Sequence, residues 1–225
     1  MATMKQCVIF DMDGVIVDSE PLHQACERKM FHRLGIQVSA EEHDSLVGST
    51  DETMWLRLSQ AHSLPVPVEE AVRMKKELYL EFLRQDNHFL PVPHVRELME
   101  DLYRNGFVMA LASSSPHEQI RYILERFDMG HFFSTVVSGE DVQEGKPHPG
   151  IFLKAAEAVG VEPRSCLVIE DSRNGVTAAL SAGMKCVGFV NPNSGNQDLS
   201  QAHCIIRSFE ELPAGRISNL IEESI

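Results

Sequence analysis

Three carboxylates fall within eight residues of "VIFDMDGVIVDS" (Val8–Ser19): Asp11, Asp13 and Asp18. A second acidic pair, Glu170-Asp171, closes "SCLVIED" and is followed by Ser172. Between them lie a run of hydroxyls, Ser113-Ser114-Ser115, and a cation, Lys146, in "EGKPHPG". Each group alone has an ordinary structural reading. D-x-D-G makes turns, serines fill turns and cap helices, a lysine is solvated, and Glu-Asp favours the positive end of a following helix. An EF-hand loop is disfavoured because Gly14 comes too early for that ligand spacing. The conjunction points elsewhere. Each group follows an apolar run or its loop, and ligands of open α/β sheets bind beyond the carboxyl ends of the strands. Asp11, Asp13, Glu170 and Asp171 would then converge with Lys146 and Ser113. Carboxylates so gathered repel one another strongly. A divalent cation resolves the conflict, and hard oxygen donors favour Mg²⁺, which takes few carboxylates and keeps water or phosphate oxygens as its other ligands.

The elements that must carry these residues are legible as periodic patterns. "QCVIF" is a short apolar run of the kind buried on both faces of a parallel sheet. Similar runs recur at Phe107–Ser113, Ser134–Gly139, Ser165–Asp171, Lys185–Val190 and Cys204–Ser208. Helical spacing separates most of them. Val95, Leu98, Met99, Leu102 and Tyr103 share one face, and Gly106 ends that helix. "SPHEQIRYILERF" offers Ser115 as N-cap and Pro116 in the first turn, with Ile120, Ile123, Leu124 and Phe127 on one side. "HPGIFLKAAEAVG" and "SRNGVTAALSAG" each close on glycine. This alternation predicts an α/β fold, a Rossmann-like parallel sheet covered by helices.

Residues 18–90 interrupt the alternation with helical patterns only, in "PLHQACERKMFHRLG", "SAEEHDSLVG", "DETMWLRLSQAH" and "PVEEAVRMKKELYLEFLRQ". A block of this length is too long for a βα loop. It is expected to be an inserted all-helical domain. The core would comprise residues 1–17 and 91–225, with the downstream border near "FLPVPH", where two prolines favour an extended chain.

The four segments "FDMDGVIVDS", "LASSS", "GKPHP" and "VIEDS" resemble the four successive motifs of the haloacid dehalogenase-like superfamily. The likeness is closest to its β-phosphoglucomutase-like branch of sugar-phosphate phosphatases and mutases, and it covers almost the whole chain. It implies a Rossmann-like core, a mobile four-helix cap and Mg²⁺-dependent phosphoryl transfer. Carried onto this sequence, the resemblance makes Asp11 the nucleophile that forms an aspartyl-phosphate. It makes Asp13 the general acid/base, with its backbone carbonyl facing the metal. Ser113 and Lys146 would hold phosphoryl oxygens, and Lys146 would offset the charge of Asp11. Asp171 is a metal ligand, Glu170 a direct or indirect one. Gly14 would let backbone N–H groups approach the phosphate, with Ser114 beside it. These roles are chemically coherent. A carboxylate attacks an anionic phosphoryl group only once charge is neutralised, and a second acid must protonate the leaving alkoxide and then activate water. A dehalogenase would need neither the second aspartate nor the metal.

The cap is expected to exclude water and read the leaving group. Its candidate contacts are His23, Val47, Gly48, Ser49 and Lys75; a surface histidine is the alternative for His23. "LVGSTDE" (Leu46–Glu52) resembles the branch's specificity loop but departs from the mutase pattern. Mutases place a lysine just before this glycine and an arginine three residues after it, whereas this chain has Val47 and Asp51. The first expectation is therefore a phosphatase acting on sugar or polyol phosphates. A β-phosphoglucomutase comes second, and a non-catalytic phosphate-binding regulator third.

Composition narrows the partners. A formal net charge of −13 disfavours nucleic acid. No apolar run approaches the ~20 residues of a membrane span. The opening "MATMKQCVIF" lacks a signal-peptide layout. Cys7, Cys26, Cys166, Cys186 and Cys204 form no C-x-x-C pair and read as buried free thiols of a reducing compartment. No two histidines are spaced i,i+3 or i,i+4, which gives a helical zinc site little support. A cytoplasmic monomer acting on a small phosphorylated metabolite is expected, with no membrane or nucleic-acid partner.

Overall fold

The computed structural model describes residues 5–46, 50–86 and 89–223. In chain order the elements begin with β1 (Cys7–Phe10), α1 (Glu20–Leu34), α2 (Ala40–Asp44), α3 (Asp51–Ala61) and α4 (Val68–Gln85). They continue with α5 (Val95–Arg104), β2 (Val108–Ser113), α6 (His117–Arg126), β3 (Thr135–Ser138) and α7 (Gly150–Val159). The last are β4 (Cys166–Glu170), α8 (Arg173–Ser181), β5 (Lys185–Phe189), β6 (Cys204–Ile206) and α9 (Ala214–Glu222). All six strands lie in one parallel sheet of order β3-β2-β1-β4-β5-β6. The chain winds outward from β1 to one edge, then returns to β4 and winds to the other. β1 is thus at the switch of direction, where ligands of such sheets bind.

The sheet is buried on both faces, which explains its uninterrupted apolar strands. One face presents Cys7, Ile9, Ala110, Ala112, Cys166 and Val168 to Ile151, Phe152, Ala155, Val176 and Ala179 of α7 and α8. The alternate residues Val8, Phe10, Leu111, Leu167 and Ile169 are equally buried and point the other way. There α5 packs on β2, α9 on β4, and the two helices on each other. The sequence patterns did not reveal α9. Pro213 and Gly215 stand at its start, and its buried face is only Ala214, Ile217 and Ile221. All five thiols are free, but Cys204 on the edge strand β6 is half-exposed rather than buried.

The chain divides into two compact units. One is residues 1–18, 91–192 and 196–225; the other is residues 19–90 with 193–195. In the second, α1 and α3 pack on α4, around Cys26, Met30, Trp55, Leu58, Leu78 and Leu83. Thr50 caps α3 by accepting a hydrogen bond from the Thr53 amide (3.2 Å), and Ser39 caps α2 through Glu42. No described helix is long and apolar enough to cross a membrane.

Candidate active site

Asp11 is the first residue past β1, and its amide still donates to the Ile169 carbonyl of β4 (3.0 Å). Strand pairing therefore fixes its backbone. The chain then turns sharply: the amides of Ile16 and Val17 both donate to the Met12 carbonyl, and Gly14 donates to Val17 (2.8 Å). Gly14 has a φ of +82°, which a side chain would strain. Its amide is committed to this turn, and its carbonyl accepts from Asn191 Nδ2 (2.9 Å). Gly14 thus serves the shape of the turn.

Lys146 reaches this point from the loop after β3. Its Nζ donates to Asp11 Oδ1 (2.5 Å), Glu170 Oε1 (2.7 Å) and the Ala112 carbonyl (3.2 Å). The Lys146 side chain is only 6% exposed, and Asp11, Glu170 and Asp171 are all buried. Burial pushes the Asp11 carboxyl up to about 8; Glu170 and Asp13 add to the rise and Lys146 opposes it. Burial also disfavours the Lys146 ammonium, but Asp11 and Glu170 outweigh it and hold the lysine charged. One cation is therefore shared among more carboxylates than it can neutralise.

Glu170 is fully engaged. Its Oε2 accepts from the Ser172 amide and hydroxyl (2.9 Å each) while Oε1 takes Lys146. Ser172 in turn caps α8 by accepting from the Gly175 amide (3.0 Å). A Cβ on Gly175 would fall 1.8 Å from the Glu170 carboxylate, so only glycine admits the helix this close. These contacts make Glu170 the holder of Lys146. Neither Ser172 nor Gly175 stood out in the sequence beyond a helix start.

Ser113 ends β2, fully buried and in register with Ser138 of β3. Its Oγ accepts from the Ser115 amide (3.0 Å) and lies 3.4 Å from Asp13 Oδ2. Ser114 is exposed. Ser115, expected to cap α6, does not. Pro116 is the N-cap residue, and the amide of His117 donates instead to Glu140 Oε2 (3.1 Å). The Ser115 hydroxyl is aimed away from the helix start and donates to Asp13 Oδ2 (2.7 Å), a charge-assisted bond. A cap supplied from the loop after β3 leaves no local sequence signal.

The donor set suits a hard cation. Asp11 and Asp171 follow adjacent strands, β1 and β4, and both carboxylates are buried. Among the described residues no group of three carboxylate, histidine or cysteine side chains is arranged to hold a metal ion. An ion here would take two carboxylates at most and complete its shell with backbone, water or phosphate oxygens, which is the habit of Mg²⁺.

In the helical unit, Lys75 is 4% exposed and donates to Asp51, with Glu27 Oε1 at 3.3 Å. Glu27 Oε2 meets His43 Nε2 at 2.6 Å. Lys75 is thus engaged by carboxylates of its own unit, and Asp51 is a paired charge. His23 is half-buried and stacks flat on Tyr79, with ring centroids 4.0 Å apart. Val47, Gly48 and Ser49 lie outside the described residues.

The model of haloacid dehalogenase-like hydrolases matches residues 8–189. A phosphoglycolate phosphatase of Escherichia coli (strain K12) is 32% identical over 227 residues, covering 91% of this chain and 90% of the relative. A phosphorylated carbohydrates phosphatase of Thermotoga maritima is 31% identical over 205 residues, covering 89% and 92%. The crystal structure of a β-phosphoglucomutase from Clostridium difficile superposes with a TM-score of 0.82 at 27% identity, covering 98% of each chain. The matched stretch runs from β1 through β5 and so holds Asp11, Asp13, Ser113, Lys146, Glu170 and Asp171: the chain belongs to the haloacid dehalogenase-like hydrolases, in their β-phosphoglucomutase-like branch.

Proposed function

We propose that this protein is a Mg²⁺-dependent phosphatase of small phosphorylated metabolites, sugar or polyol phosphates, working through an aspartyl-phosphate on Asp11. The observation that carries the reading is the buried Asp11, held by Lys146 at the switch point of the sheet, with Asp13 two residues on. In the first half-reaction an Asp11 oxygen bonds to phosphorus, the ester P–O bond breaks, and the departing alkoxide takes a proton from Asp13. In the second, water attacks phosphorus, Asp13 takes its proton, and the bond to Asp11 breaks. Lys146 offsets the charge of Asp11 and the phosphoryl oxygens, and Ser113 donates to those oxygens. Asp11, Asp171 and the Asp13 backbone carbonyl would hold Mg²⁺, which supplies further charge neutralisation when bound. Glu170 acts indirectly, by fixing Lys146.

The names of the Escherichia coli and Thermotoga maritima relatives support phosphate esters of small hydroxy acids and carbohydrates as the substrate class. The likeness to a mutase keeps β-phosphoglucomutase as the second reading. Returning a phosphoryl group to a sugar requires a cationic clamp on a distal phosphate. Lys75 is paired with Asp51 and Glu27, and Arg57 is exposed on α3, so neither favours a mutase. The test is phosphate release, with Mg²⁺, from phosphoglycolate, glycerol 3-phosphate, ribose 5-phosphate, glucose 6-phosphate and β-glucose 1-phosphate. A coupled assay of glucose 6-phosphate is run with a glucose bisphosphate activator. Phosphate release that Asp11→Asn and EDTA each abolish is expected. Many turnovers per second of glucose 6-phosphate from β-glucose 1-phosphate, with slow phosphate release, would establish the mutase instead.

A further inference from the structure

We propose that Ser115 is a positioning residue that holds Asp13 for proton transfer to the departing hydroxyl. The inference rests on the phosphatase reading above. The Ser115 hydroxyl donates to Asp13 Oδ2 at 2.7 Å, the shorter of the two serine contacts to that oxygen. An Asp side chain on a turn swings about two torsions, and one donor on a carboxylate oxygen removes most of that freedom. A hydroxyl that donates in this way orients the acid without competing for its proton.

The donor is itself held from three directions. The Ser115 amide donates to Ser113 Oγ (3.0 Å), anchoring it to the end of β2. Its carbonyl accepts from Ser138 Oγ (2.7 Å), and Ser138 is fully buried at the end of β3. Pro116 follows, which restricts Ser115 to extended backbone. The Ser138 hydroxyl also accepts from the Glu140 amide (3.1 Å), and Glu140 caps α6 through His117. Two strands and a helix start thus converge on one hydroxyl, and that hydroxyl ends on Asp13. A serine that merely filled a turn would not need this support. Removing it leaves Asp13 Oδ2 with only the longer of its two serine contacts, that to Ser113 at 3.4 Å, and proton transfer is sensitive to the misplacement this allows.

The role predicts a dependence on the leaving group. An alkoxide needs a proton as it departs, whereas p-nitrophenolate does not. kcat/KM is measured for wild type, Ser115→Ala, Ser115→Cys and Ser115→Thr, on p-nitrophenyl phosphate and on the fastest alkyl phosphate of the panel above. kcat/KM covers the first half-reaction, so slower release of phosphate from Asp11 does not enter it. Ser115→Ala should lose roughly tenfold to a hundredfold on the alkyl ester, carried by kcat, and less than about threefold on the aryl ester. Ser115→Cys, of similar size and a weaker donor, should show the same selective loss. Ser115→Thr, which keeps the hydroxyl, should stay within about threefold of wild type on both. Equal losses on the two esters, or none on either, would overturn the assignment; equal losses would make Ser115 a phosphate contact or a loop support. A wild-type protein that hydrolyses no ester of the panel would instead overturn the phosphatase reading itself.

Discussion

Each unit of this molecule buries one lysine between two carboxylates, and the two clusters are built to opposite ends. In the core unit Lys146 bridges Asp11 and Glu170; in the helical unit Lys75 bridges Asp51 and Glu27. The helical cluster is balanced from within. His43 adds a second donor to Glu27, and although burial works against the Glu27 charge, His43 and Lys75 hold its carboxyl below its ordinary value of 4.5. Its members come one from each helix, Glu27 from α1, His43 from α2, Asp51 from α3 and Lys75 from α4, so the cluster ties the unit together. The core cluster is not balanced. Burial, with Glu170 and Asp13 adding to it, drives the Asp11 carboxyl up against the pull of Lys146. A cluster satisfied by its own members is a structural device. One whose carboxylate is pushed up by burial is, on the proposed function, where a cation and an anionic substrate would arrive together.

The largest effect should come from exchanging the lysines for methionine. Lys146→Met should lower kcat by about a thousandfold, because Asp11 and the phosphoryl group then face each other uncompensated. Lys75→Met should leave kcat within about threefold but cost about 3 kcal/mol of stability, read as a fall in Tm. Steady-state kinetics and thermal melts on both variants break the comparison if the two lysines trade effects. A KM rise in Lys75→Met without loss of Tm would make it a substrate contact.

A smaller effect separates support from chemistry inside the core cluster. Gly175→Ala places a methyl 1.8 Å from the Glu170 carboxylate, so Glu170 or the start of α8 must move. Lys146 then loses one of its two carboxylate partners. A tenfold or larger drop in kcat is expected, with about 1–3 kcal/mol of destabilisation from the overpacking. Wild-type kcat in a destabilised variant would show that Lys146 does not depend on Glu170 for its aim.

The same contrast explains what could be read in advance. The six strands were legible because a doubly covered sheet forces unbroken apolar runs, and Asp11, Ser113, Lys146 and Glu170-Asp171 stood out because they end those runs or follow them. What those residues do to one another was not legible. Ser115 looked like a helix cap because its hydroxyl partner is distant in sequence, and Glu170 was left as a direct or an indirect metal ligand because the partners of its oxygens, Ser172 and Lys146, are not visible in the sequence. In the helical unit the apolar spacing gave the helices, but no pattern marks Glu27 or His43. Their significance exists only once four helices pack.

The smallest effect tests whether ionisation of Glu27 is what ties the helical unit. Glu27→Gln keeps the shape and one hydrogen-bonding oxygen but removes the charge that Lys75 and His43 face. At pH 7 the variant should be less stable by about 1–2 kcal/mol. The sign with pH follows from the direction of the shift. The folded Glu27 carboxyl lies below its ordinary 4.5, so folding favours the charged form. Its contribution is fully present above 4.5 and is lost as pH falls through the lower folded value. The gap in Tm between wild type and Glu27→Gln should therefore narrow as melts are taken from pH 5 to pH 3, because protonation turns wild-type Glu27 into a near-isostere of the amide. Kinetics at pH 7 should hardly change, since the core cluster shares no member with this one. A gap that persists undiminished at pH 3 would mean that packing of the side chain, and not its charge, is what the four helices share.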